Sequence, residues 1–174
     1  MPQRALAVVL AALVFTAPAA AQQTKGKQPV PERLGEPSGP WSAYTYKVAN
    51  GKVCYLVGEP QSKRKGANAL VTHNTADKSA NVVSFVAGYT YPEKDRQDVD
   101  LDIDGQKFKL FTEKDTAWAR DAETDRKIVE AMIRGKQAVV KGQPAKGAPT
   151  TDTYSLIGFT QALQLIDKEC GIKR

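Results

Sequence analysis

The sequence predicts a mainly β single domain that carries two short helices towards its C-terminal end. Three observations lead to this prediction. Apolar and polar residues alternate with period two from about residue 41 to 112, the pattern of strands with one buried face. Asn50-Gly51 and Asp104-Gly105 interrupt that alternation, and both dipeptides favour tight hairpin turns. Helical spacing appears only afterwards, over about 121–134 and 158–170.

Taken in order, "WSAYTYKV" from Trp41 and "KVCYLVG" from Lys52 form a hairpin about Ala49, Asn50 and Gly51. "ALVTHN" and "NVVSFVAGY" are two further strands, separated by the polar "TADKSA". Ahead of them lies "EPQSKRKGAN", a loop rich in breakers and cations. "DVDLDID" and "QKFKLF" make the best hairpin in the chain, turning near Asp104-Gly105.

That hairpin also resembles the start of a D-x-D-x-D-G calcium loop. Counting Asp100 as the first position places Phe111 at the twelfth, where such a loop needs a bidentate acid. Strand alternation explains every residue instead. Val99, Leu101, Ile103, Phe108 and Leu110 face inward, and Asp98, Asp100 and Asp102 face outward opposite Lys107 and Lys109. Cross-strand opposite charges contribute about 0.2–1 kcal/mol each.

"DAETDRKIVEAMIRG" opens on Asp121, a good N-cap, has acids in its first turns and closes on Arg134-Gly135, which are start and stop signals of a helix. Ile128, Ala131, Met132 and Ile133 supply its buried side. "KQAVVKG" and "TTDTYSL" read as two short strands about a flexible "QPAKGAP". In the last helix Phe159, Ala162, Leu163, Ile166 and Cys170 recur at helical spacing, a stripe that belongs to the core.

The beginning of the chain reads differently. One early cation, Arg4, precedes an apolar run from Ala5 to Phe15 and then the small residues Ala19, Ala20 and Ala21. That order is a secretory signal peptide over 1–21, and its apolar run is well short of the ~20 residues of a membrane-spanning helix. Cleavage after Ala21 removes one cation and no acid, so the net charge falls from +6 to +5. Residues 22–40, rich in Pro, Gly, Gln and charge, read as a flexible linker, with the domain over 41–174. The expected location is periplasmic, secreted or cell-surface associated, with no transmembrane segment after cleavage. In such a compartment the two cysteines, Cys54 and Cys170, are expected to form one disulfide.

The tail "TTDTYSLIGFTQALQLIDKEC", the segment "VDLDIDGQKFKLF…AWARDAETDRKIVEAMIRGKQAVVKG" and the early pair Trp41 and Cys54 resemble the invasion-associated locus B family, exported proteins of alphaproteobacteria. The resemblance covers about residues 40–171. It implies an immunoglobulin-like β-sandwich with short helical additions, residence in the cell envelope and, in some pathogens, association with host-cell invasion. It supplies no catalytic residues.

Catalysis finds little footing in the residues themselves. His73 is the only histidine, and no G-x-S-x-G elbow accompanies it. A hydrolase built around His73 with nearby acids is therefore the alternative, not the main reading. Glu113, Asp115, Asp121 and Glu123 are explained by loop solubility and helix-start charge. No metal-ligand spacing or cofactor is indicated. Nucleic-acid binding has no module or aromatic-interleaved basic stripe to support it. What remains is binding to an envelope or host-surface protein or glycan. Tyr44 and Tyr46, which share one strand face, and the basic run Lys63, Arg64 and Lys65 are the candidate partner-binding surface. A self-associating structural role in the envelope is the other alternative.

Overall fold

The structure, a computed structural model, describes residues 29–94 and 98–174. The expected signal peptide and the first part of the expected linker, residues 22–28, lie outside the described residues.

Ten strands and two helices are found among the described residues. The first, β1 (Glu32–Arg33), falls inside the expected linker and pairs with β2 (Trp41–Val48). Leu34 explains this docking: its amide donates to Ala43 O at 2.8 Å, and its side chain packs against the core. The linker is thus not free up to Pro40. An antiparallel meander continues through β3 (Gly51–Gly58), β4 (Ala67–Asn74) and β5 (Ser79–Ala87). Then come β6 (Val99–Ile103), β7 (Gln106–Glu113) and β8 (Thr116–Trp118). Helix α1 (Ala122–Arg134), strands β9 (Gln137–Gly142) and β10 (Thr150–Ser155), and helix α2 (Phe159–Cys170) complete the chain.

The hydrogen-bonded order is β1-β2-β3-β4-β5-β8-β7-β6-β9-β10. Strand β7 belongs to two sheets. Gln106–Leu110 pair with β6, whereas Phe111–Glu113 pair with β8. This divides the strands into a long sheet from β1 to β8 and a short sheet of β6, β9 and β10, joined through β7, and the two layers form a β-sandwich. The expected mainly β class with helices near 121–134 and 158–170 is what the chain adopts.

The inner face of the long sheet is covered in two parts. Trp41 and Phe85 meet the short sheet: Trp41 Nε1 donates to Ser155 O at 2.8 Å, and Phe85 packs on Tyr154 at 5.6 Å between ring centroids. The helices cover the remainder, with α2 lying on β2, β3 and β4 and α1 on β5. The stripe Phe159, Ala162, Leu163 and Ile166 is buried as its spacing predicts, and Cys54 in β3 is bonded to Cys170 at the end of α2.

The two turn signals work by different physics. Asp104 and Gly105 both have positive φ, 48° and 95°, and form the two-residue loop between the paired Ile103 and Gln106, as a twisted hairpin requires. In the first hairpin the loop is Ala49–Asn50, and Gly51 already pairs with Val48. Gly51 is needed for space: a Cβ there would collide with Thr75 Oγ1 and Ala76 N, the segment in which Thr75 Oγ1 accepts from Lys52 N at 2.8 Å.

Gly158, the N-cap of α2, combines both demands. Its φ is +84°, and a Cβ would strike the Ser38 carbonyl, so the loop before β2 is seated against the start of α2. Gly158→Ala is expected to lower unfolding stability by about 2–4 kcal/mol, from left-handed strain and a backbone that must shift. Chemical denaturation of the variant against the parent checks this, and a loss under about 1 kcal/mol would contradict it.

Candidate functional site: the outer face of the long sheet

The outer face of the long sheet follows from strand register. One row runs Tyr44, Tyr55, Thr72 and Val82 across β2 to β5. The next runs Ser42, Val57, Leu70 and Ser84, then Trp118 in β8 and Phe111 in β7. Tyr46, Val53 and Asn74 extend it at one end, and Asn68, Val86 and Thr116 at the other. No charged residue lies in these rows; Arg33 and Glu113 flank them on β1 and β7.

An antiparallel sheet with one face in water normally alternates apolar-in with polar-out. The short sheet obeys this. On its outer side Asp100 pairs with Lys109 and Lys141, and Asp102 with Lys107, and Lys109 Nζ lies 2.6 Å from Asp100. The long sheet departs from it. Its outward residues are aromatic, aliphatic or uncharged polar in a chain that is 25% charged, a composition that marks interaction surfaces.

Three tyrosines form one cluster. The Tyr44 and Tyr55 rings stack at 5.4 Å, Tyr46 meets Tyr55 edge-on at 6.1 Å, and Arg33 sits 6.0 Å over Tyr44. Burial, with the neighbouring phenols of Tyr44 and Tyr46, raises the Tyr55 hydroxyl above its ordinary pKa, so it stays a neutral donor. Beside the cluster lies a shallow basin of about 400 Å³, with Leu70, Thr72, Val82 and Ser84 in its lining and Tyr46 and Trp118 at opposite ends in strand order.

The predicted surface is therefore brought together only in part. Tyr44 and Tyr46 share the outer face as expected. The run Lys63, Arg64 and Lys65 lies in the loop between β3 and β4, beyond the Val57 end of that face, and its three cations are not equivalent. Lys63 and Lys65 are exposed. Arg64 turns inward, its Nε 3.3 Å from both oxygens of the buried Asp152 and its guanidinium 5.7 Å from the Tyr89 ring centre. A buried carboxylate needs such a partner, so Arg64 clamps the loop to β10 and is not a free anion contact.

Tyr55 was within reach of the sequence, because the turn after Val48 fixes the register that places it opposite Tyr44. Trp118 was not, because its strand has only three residues and too few alternations to read.

His73 occupies a different environment. Its side chain is fully buried, and both ring nitrogens are engaged. Asn81 N donates to Nδ1 at 3.0 Å, which places the ring proton on Nε2, 2.9 Å from Asp167 Oδ1. Asp167 also accepts from Arg174 Nε at 2.6 Å. Burial alone would raise the Asp167 carboxyl, but the hydrogen bonds from His73 and Arg174 outweigh it and hold it below its ordinary value. The β4–β5 ladder slips at this point, between Thr72 and Asn74, and His73 supplies the acceptor that the Asn81 amide would otherwise lack. A hydrolase centred on His73 would need an open ring nitrogen and room for substrate, and this enclosed imidazole offers neither.

Asp125 on α1 serves the same strand. It is buried and accepts from Val83 N at 2.8 Å, yet burial pushes its carboxyl up to about 6. A folded-state pKa above the unfolded one favours the protonated fold, so this stabilisation is full below about 3.8 and is lost as pH rises through about 6. Asp125→Asn keeps an acceptor for Val83 and removes the charge. The variant is expected to melt higher than the parent at pH 7.5, with the difference vanishing towards pH 4. Thermal melts across that range test it, and a variant that melts lower at pH 7.5 would contradict it.

Several of the remaining acids have structural partners. Asp121 caps α1, accepting from Thr124 N at 2.7 Å, and Glu123 pairs with Arg126 at 3.0 Å. In the D-x-D segment, Asp102 accepts from Gly105 N within the turn, and Asp104 accepts from Lys136 N, tying the turn to the connection between α1 and β9. No cluster of three or more metal-ligating side chains occurs among the described residues. Nor is any helix there long and apolar enough to cross a membrane.

Comparison with known proteins places this geometry in context. The model of the family described as "Invasion associated locus B (IalB) protein" matches residues 41–167. No curated protein matches the chain. Among solved structures, invasion associated protein B from Bartonella henselae is similar in fold, with a TM-score of 0.53 at 18% identity, over 80% of this chain and 98% of that one. The matched segment runs from Trp41, which ties the long sheet to β10, to Asp167, which holds His73.

Proposed function

The chain belongs to the invasion-associated locus B family, and on that premise we propose that it is an exported, non-catalytic binding protein of the bacterial cell envelope that engages its partner through the outer face of the long sheet. The observation that carries this reading is the uncharged aromatic face itself, set against the ion-paired outer face of the short sheet. The single internal disulfide supports an oxidising compartment. The family name, and that of the Bartonella protein, support extending the partner class to host surfaces where the bearer is a pathogen.

Placing a charge in the middle of the face tests the proposal. Leu70→Glu leaves the core untouched, because Leu70 is on the outer side of β4. The tagged variant is expected to lose the parent's retention on isolated envelope fractions, whereas Lys107→Glu on the short sheet retains it. Equal retention of Leu70→Glu and parent would overturn the assignment of this face.

A further inference from the structure

We propose that the ligand of this face is an uncharged stretch of β-1,4-linked N-acetylhexosamine glycan, the strand chemistry of the cell-wall peptidoglycan. This rests on the reading of the outer face as the binding surface and specifies its partner.

Size argues first. Five strands at ~4.8 Å spacing and the six residue steps from Asn68 to Asn74 at ~3.4 Å give a platform of about 20 by 20 Å. That is about half of the ~800 Å² per partner of a standard protein interface, whereas a short run of sugar rings fits it. The chemistry of the lining argues second. Tyr46 and Trp118 line the basin at its opposite ends and supply aromatic surface to the C–H groups of a pyranose ring. The basin between them combines Leu70 and Val82 with Thr72 and Ser84, a mostly apolar site with a few polar groups. A plain hexose chain has no group that needs the aliphatic pair, but an N-acetyl group does, through its methyl, while its amide meets the hydroxyls.

Hydrogen-bonding capacity argues third. The Tyr46 and Tyr55 hydroxyls, Thr72 Oγ1 and Trp118 Nε1 make no hydrogen bond to another described residue, whereas Asn74 is held by Asp77. The basin, through Tyr46, Thr72 and Trp118, and the adjoining Tyr55 thus offer neutral donors and acceptors to a hydroxyl-rich ligand. Charge argues last. An anionic glycan would need cations in the basin, and its lining has none; Lys63 and Lys65 lie in the loop beyond the strand ends.

The test is a titration of the isotope-labelled, disulfide-bonded protein with chitohexaose, followed by amide chemical shifts, with cellohexaose as the probe lacking N-acetyl groups. The expected result is saturable shifts confined to the outer rows of β2 to β5 and β8, with cellohexaose at least tenfold weaker. Trp118→Ala and Thr72→Lys, each checked for an unchanged melting temperature, are expected to weaken chitohexaose binding at least tenfold and to lower co-sedimentation with purified sacculi in step. Absence of shifts with millimolar chitohexaose, or shifts located elsewhere, overturns the glycan assignment. If Thr72→Lys loses envelope retention while chitohexaose never binds, the face is a binding site for a protein or for a second copy of the chain, and only the ligand is wrong. If Thr72→Lys keeps both envelope retention and sacculus binding, the face and the ligand both fall.

Discussion

Replacing Trp41 with alanine is expected to lower unfolding stability by about 3–5 kcal/mol, the range for truncating a large buried aromatic residue. Trp41 opens β2 and is buried at the meeting point of three elements. Its ring lies edge-on to Phe159 of α2 at 5.0 Å, its Nε1 donates to Ser155 O on β10, and Gly58 lies so close beneath it that a Cβ there would come within 2.6 Å of the indole. Truncation leaves a cavity between the sheets and an unpaired carbonyl, and both effects destabilise. Trp41→Phe separates them, because it keeps most of the ring volume and loses the hydrogen bond; it is expected to cost roughly 1–3 kcal/mol. Urea titration of both variants checks the pair. An alanine variant within 1 kcal/mol of the parent would show that the two sheets do not depend on this residue.

Loss of the disulfide is the second large effect. The Cys54–Cys170 bond spans 116 residues of sequence, and the chain-entropy argument gives about 4–5 kcal/mol for a loop near that length. The bond also fixes the end of α2 over β3 and β4, where Lys52 Nζ pairs with Glu169 at 2.6 Å and Asp167 meets His73. A Cys54→Ala, Cys170→Ala double variant is therefore expected to lose about 3–5 kcal/mol, with α2 losing hydrogen-exchange protection before the meander does. Equal stability of the variant and the oxidised parent would contradict the account. So would loss of protection starting in β9 and β10.

The difference in legibility between fold and site has a physical cause. Period-two alternation and the Asp104-Gly105 turn locate β2 to β7 because each strand has one buried face and enough residues to show it. The helices are legible through caps and spacing, from Asp121 to the stripe ending at Cys170. Strand β1 is hidden because Pro-rich surroundings disguise a two-residue pairing that depends on Leu34 reaching the core. The buried acids Asp125 and Asp167 were hidden as well, since a carboxylate on a core-facing position looks misplaced until its partner, Val83 N or His73, is known. The site lies between these cases. Tyr44 and Tyr46 are visible on one strand, but a surface made from five strands exists only after register sets Tyr55, Leu70, Val82 and Trp118 beside them. Arg64 shows the opposite failure, in that a compact basic run in sequence becomes one part-buried ion pair and two exposed lysines in space.

The central claim is that the outer face of the long sheet, and not that of the short sheet, meets the partner. The most direct measurement is in-cell photo-cross-linking with a benzophenone side chain placed at Tyr55 or, separately, at Lys107. The account predicts a discrete adduct, to a macromolecule or to the sacculus, from position 55 and none from position 107. Adducts from position 107 with none from position 55 would contradict it.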